Sequence, residues 1–193
     1  MKKFKKVVLS SLLVATFALP TMVYADYEDA DAFFTGGLPS SVIALADYYE
    51  DPSVASFGYD YWTANARADF AGISNADIGF INVGNYTDAE IRFFVVYYGD
   101  DYAGIVQPYT SSGVLDNVCA CNTWAKAHVV MNDKYMDDHS YTNANRHKTT
   151  IHELGHALSL LHQPSSADSV MKQGKLTYTD PTALDIANLQ WKY

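Results

Sequence analysis

Histidines stand at positions 152, 156 and 162, Glu153 directly follows the first of them, and Met171 comes shortly after the last. Four residues separate His152 from His156, so on a helix both rings project from one face about a turn apart. Two imidazoles placed in this way can hold one Zn²⁺ at about 2.0–2.1 Å. Glu153 is rotated by about 100° around the helix axis. That sets it beside such an ion and not on it, where it can take a proton from water activated there. A straight helix would carry His162 well off the shared face. It reaches the same ion only if the helix stops between His156 and His162 and the chain turns back. Three histidine ligands leave a fourth position open, the pattern of a catalytic centre and not of a structural one.

The order His152-Glu153-x-x-His156-x-x-Ser159-x-x-His162 followed by Met171 resembles the metzincin signature. Within that class HELGHALSLLH and Ser169-Val170-Met171 are most similar to the matrixins, and residues 176–193 resemble the C-terminal helical segment of that family. The likeness extends over nearly all of residues 30–193, with its specificity in 152–171. It implies an α/β (α+β) zincin-like catalytic domain with a twisted mixed sheet, an active-site helix, a methionine turn and a C-terminal helix. The implied activity is hydrolysis of peptide bonds in a protein or peptide substrate. Zn²⁺ would be held by His152, His156 and His162, Glu153 would act as general base and then acid, and Met171 would form an apolar floor. An extended substrate would lie along a sheet edge, for which residues 104–107 are the candidate, with residues 172–181 walling the adjoining pocket. Position 173, where astacin-like relatives carry an assisting tyrosine, is Gln and receives no such role. One residue departs from the pattern: Ser159 stands where the family has Gly. A side chain in a left-handed turn costs about 1 kcal/mol or more, so either Ser159 accepts that conformation or the helix ends differently. Glu153 is the last Glu of the chain, so a downstream Glu ligand is excluded. An aspartate ligand from Asp168, Asp180 or Asp185 is the alternative that His162 makes unnecessary.

The rest of the sequence bounds the context. Lys2, Lys3, Lys5 and Lys6, an apolar run over 7–19, Pro20 and small residues up to Ala25 read as a cleaved secretory signal. The apolar run is shorter than the roughly 20 residues of a spanning helix. A signal peptide at 1–25 and one metallopeptidase domain at 26–193 are therefore expected, exported and without a membrane anchor, with a single chain as the working unit. The formal charge is −9, and 18% of residues are charged. That balance argues against nucleic acid, which calls for a basic face. With 49% hydrophobic and 14% aromatic residues, the chain is able to build a core. A secreted binding or toxin-like module that keeps the fold and the metal without proteolysis is the competing class; a base at Glu153 favours the enzyme.

Other groups carry weaker signals. Cys119 and Cys121 are one residue apart; a bridge at that spacing needs a tight turn, and a free thiol pair is the alternative. His128, His139 and His147 are candidates for a second zinc site, with ordinary polar positions the plainer account. Asp100, Asp101, Asp133, Asp137 and Asp138 could take Ca²⁺ as a second cofactor, but they lack the alternating loop pattern of an EF-hand and fit a solvated acidic face better. Residues 26–31 read as a frayed acidic terminus, with a short pro-segment whose carboxylate plugs the zinc as the alternative. Strand signals cover 41–46, 77–83, 89–98, 104–107 and 127–131. Helix signals start at 51–53 and run to about 67, then cover 143–161 and 181–189.

Overall fold

A computed structural model describes residues 26–193; the expected leader at 1–25 lies outside the described residues. After a 3-10 turn at Asp29–Ala32 come α1 (Ser40–Ile43), β1 (Ala46–Glu50), α2 (Pro52–Ser56), α3 (Asp60–Ala71), β2 (Phe80–Asn82), β3 (Ile91–Val96), β4 (Gly104–Tyr109) and β5 (Lys126–Asn132). The chain finishes with α4 (Asp133–Asp138), α5 (Asn143–Ala157) and α6 (Ala183–Lys192). The architecture is mixed α/β. Five strands form one sheet in the order β2-β1-β3-β5-β4, parallel throughout except for antiparallel β4 at one edge.

Alternation along the central strands decides which face is buried. Ile91, Phe93 and Val95 of β3 and Ala127, Val129 and Met131 of β5 join Phe70 of α3 and Ile151 and Leu154 of α5 in one buried cluster. On the opposite face of the sheet, Arg92 stacks on Tyr86, and His128 sits among the rings of Tyr109, Phe94 and Tyr86.

Residues 41–46, expected as a strand, are corrected by the fold: 40–43 form α1 and the strand starts at Ala46. Pro39 presents its carbonyl to the amides of Val42 and Ile43 (2.9 and 3.1 Å), and a short apolar run does not by itself tell a buried helical turn from a strand. The helix start at 51–53 is as read, with Asp51 accepting from Ser53 N at 2.9 Å and Pro52 in the first turn. The helical stretch is broken at Gly58, whose φ of 73° ends α2 before α3 begins. The helix expected over 143–161 stops at Ala157.

The acidic residues of α4 are engaged. Arg146 bridges Asp133 and reaches Asp137 at 2.6 Å, while Tyr59 donates to Asp133 at 2.7 Å. The amino-terminal stretch is tied down and not frayed. Gln163 exchanges two hydrogen bonds with the backbone of Tyr27 (2.9 and 2.8 Å), and the side chain of Asn188 accepts from Asp29 N at 3.0 Å. Cys119 and Cys121 are disulfide-bonded around Ala120, whose φ of 48° supplies the tight turn. Among the described residues no helix is long and apolar enough to cross a membrane.

Candidate metal centre

The centre is built on α5. Its start is fixed by a reciprocal cap: Thr142 Oγ1 accepts from Asn145 N, and Asn145 Oδ1 accepts from Thr142 N at 2.9 Å. The helix carries His152, Glu153 and His156 through the interior, 6%, 5% and 7% exposed. It ends in a reverse turn of the Schellman type. Ser159 N donates to His156 O (2.8 Å), Leu160 N donates to Gly155 O (3.0 Å), and Ser159 takes φ = 69°. This left-handed residue meets the requirement posed by the spacing: the helix stops and the chain turns back. Ser159 therefore accepts the conformation that favours glycine, and its buried Oγ makes no hydrogen bond.

The turn brings the three imidazoles together. His162 Nε2 lies 3.0 Å from His156 Nε2 and 3.1 Å from His152 Nε2. The other nitrogens of the two helical rings face backbone carbonyls: His152 Nδ1 lies 2.8 Å from Val170 O and His156 Nδ1 lies 2.7 Å from Leu160 O. A carbonyl oxygen only accepts, so His156 Nδ1 carries the proton and its Nε2 is left with a lone pair; Val170 O favours the same tautomer of His152, whose Nδ1 also has Lys148 Nζ at 3.2 Å. Burial pushes the pKa of His152 well below its ordinary value and that of His156 to about 3, with the neighbouring imidazoles and Lys148 adding to the effect. His162 is lowered for the same first reason.

Imidazole nitrogens converging this closely repel one another unless a cation or a shared proton lies between them. Around a tetrahedral Zn²⁺ at 2.0–2.1 Å, ligand nitrogens are about 3.3 Å apart, close to the separations found here. The donor set fits a borderline divalent ion such as zinc. The same three residues form one of two convergent groups of metal-binding residue types among the described residues; the other, Asp116 with Cys119 and Cys121, has its sulfurs in the disulfide. His128, His139 and His147 do not converge with one another.

Further residues, inside the motif and beyond it, shape the centre. Met171 is fully buried, and Gly155 gives its sulfur room: a Cβ at position 155 would lie 2.6 Å from Met171 Sδ. The loop carrying Val170 is held by buried Asp185, which accepts from Ser169 Oγ (2.5 Å), Val170 N (2.9 Å) and Thr182. That use takes Asp185 out of consideration as a ligand, and Asp168 is bonded to Tyr178 at 2.8 Å. Phe34, brought in by the amino-terminal segment, sets its ring 5.8 Å from that of His156. Lys148, one turn before His152, is buried and donates to Lys172 O at 2.6 Å.

The three histidines, Phe34 and Lys148 line a cleft of about 600 Å³ that also contains Gly104, Ile105, Val106 and Pro108 of edge strand β4 and Gln173 and Gly174 beyond the methionine. Glu153 faces it. Burial raises its carboxyl to about 8, against a smaller lowering by Lys148. A carboxyl so poised in the protein without its ion readily holds a proton, and a nearby cation would return it to the basic form.

No family model matches the sequence, and no curated protein matches it either. Among solved structures, one similar chain belongs to the GM1 bound form of the ECX AB5 holotoxin. It is 13% identical, the match covers 86% of this chain and 77% of that one, and the TM-score is 0.47. A likeness of that strength carries no weight for function.

Proposed function

We propose that the chain is a secreted zinc-dependent metalloendopeptidase of the metzincin class, similar to the matrixins. The observation that carries the reading is the meeting of three imidazoles, with His162 Nε2 3.0 Å from His156 Nε2 and 3.1 Å from His152 Nε2, on the cleft that Glu153 lines. Zinc bound there would polarise the scissile carbonyl and lower the pKa of water toward 7.

The chain's own residues do the rest. Glu153 takes the proton from the attacking water and passes it to the leaving amine. Within the sheet β4 pairs only with β5, and its other side is bridged only at its end, by Leu115 and Asp116 against Tyr109 and Pro108, so residues 104–107 present the edge on which an extended peptide would pair. Gln173 and Gly174, which line the cleft, would wall the pocket for the side chain beyond the cut. His152 and His156 keep their tautomers through Val170 O and Leu160 O, which orients the rings before any metal arrives. Export rests on the leader; amino-terminal sequencing of the secreted protein tests it, with Asp26 the expected first residue and retained Met1 the contrary one.

Cleavage of casein and of quenched peptides, with and without a chelator, tests the activity. The wild type is expected to cleave, to stop when zinc is removed and to recover when it returns. Glu153→Ala is expected to keep the metal and lose cleavage. Equal cleavage by that variant removes the mechanism.

A further inference from the structure

Gly104 is the first residue of β4, and it passes directly over the side chain of Glu153. A Cβ at position 104 would lie 2.6 Å from Glu153 Cγ, 2.7 Å from Oε1 and 2.9 Å from Cδ. Those separations are well inside the roughly 3.5–4.0 Å at which carbon atoms rest. Backbone conformation does not explain the glycine, because Gly104 is not among the residues with positive φ. The strand cannot back away from the helix. Ala103 O accepts from Asn132 N at 2.8 Å, and Gly104 is in register with fully buried Met131. Nor can the Glu153 backbone retreat, since it lies in the interior of α5. Only the carboxylate arm has freedom to move.

We propose that Gly104 is a positioning residue for Glu153: its missing side chain is the slot that holds the carboxylate in the cleft next to the histidines. Any side chain at 104 would displace the base while leaving every candidate ligand untouched. The consequence for turnover rests on the peptidase reading; the positional claim does not.

The test compares zinc-loaded Gly104→Ala with wild type and with Gly99→Ala, a glycine with no atom within 4 Å of an added Cβ. Selective ¹³C labelling of the glutamate carboxyls gives four resonances, and loss of one in Glu153→Gln assigns Glu153. Gly104→Ala is expected to retain zinc and its melting temperature, to shift the Glu153 resonance alone, and to lower kcat about a hundredfold with KM changed less than about threefold. Gly99→Ala is expected to match wild type throughout. In the Glu153→Gln background, Gly104→Ala should cost nothing further. An unshifted Glu153 resonance overturns the proposal whether or not the protein is a peptidase. A shifted resonance with unchanged kcat overturns it as well, and so does loss of zinc or of cooperative folding in Gly104→Ala, which would make the slot a packing requirement. A wild type inactive on every peptide, with the resonance still moving in the variant, counts against the peptidase reading and leaves the positional claim standing.

Discussion

The hydroxyl of Ser159 fills the space in which Gly37 has no side chain; a Cβ at position 37 would collide with Ser159 Oγ. The two residues meet where the amino-terminal segment crosses the turn between His156 and His162, and Phe34 N donates to Ser159 O at 2.9 Å close by. A buried hydroxyl without a partner and a left-handed non-glycine residue coincide at one position.

Ser159→Gly is therefore expected to raise stability by about 1 kcal/mol through relief of the backbone conformation, with zinc affinity retained. Gly37→Ala is expected to destabilise, and less so when Ser159 is already Gly. Thermal unfolding of the four proteins with zinc titration checks this. A large loss of affinity in Ser159→Gly would contradict the account of the turn.

Asp185 offers a second check. Its carboxylate is 1% exposed and accepts from Ser169, Val170 and Thr182, and Val170 O in turn holds the His152 ring. Asp185→Ala strands several buried donors, each worth about 1–3 kcal/mol. It should also loosen the hold of Val170 O on the His152 ring and so weaken zinc binding about 10–100-fold. Denaturant unfolding and a competitive zinc titration should move together; an unchanged affinity would detach the methionine loop from the centre.

His128 sets a pH dependence remote from the three clustered histidines. Its Nε2 is buried without a partner, and burial, with Arg92 and Lys126 nearby, lowers its pKa from 6.5 to about 4. The folded protein thus binds fewer protons at this residue than the unfolded chain does between those values. Stability from this group is intact above pH 6.5 and is lost as pH falls toward 4. His128→Phe keeps an aromatic ring against Tyr109 and Phe94. Its melting temperature should exceed that of wild type by a margin that widens from pH 7 to pH 4. A constant margin would contradict the assignment.

The features legible in the sequence are those whose physics is local. The i,i+4 spacing of His152 and His156 needs only a helix, and the requirement that the helix end before His162 follows from its rise and pitch. Edge strand β4 is legible over 104–107, while its continuation through Pro108 to Tyr109 is not, because a proline is tolerated in a strand only where its missing N–H has no partner to lose. Local reading also failed in identifiable ways. The start of α1 depends on Pro39, and the expected strand at 127–131 carries no sign that α4 follows at once, where Asn132 caps it by accepting from Tyr135 N at 3.3 Å. Ser159 left two outcomes open, because only packing against Gly37 and Phe34 decides whether a serine is held at positive φ. Phe34 beside His156 and Gly104 beside Glu153 were out of reach, since each contact joins segments distant in the chain and depends on the tertiary fold.

X-ray absorption spectroscopy of the zinc-loaded protein tests the central claim most directly. One equivalent of zinc with three imidazole nitrogens and one light-atom ligand at about 2.0–2.1 Å, falling to two imidazoles in His162→Ala, is the result expected. A wild-type spectrum with fewer than three imidazoles, or one that His162→Ala leaves unchanged, would contradict it.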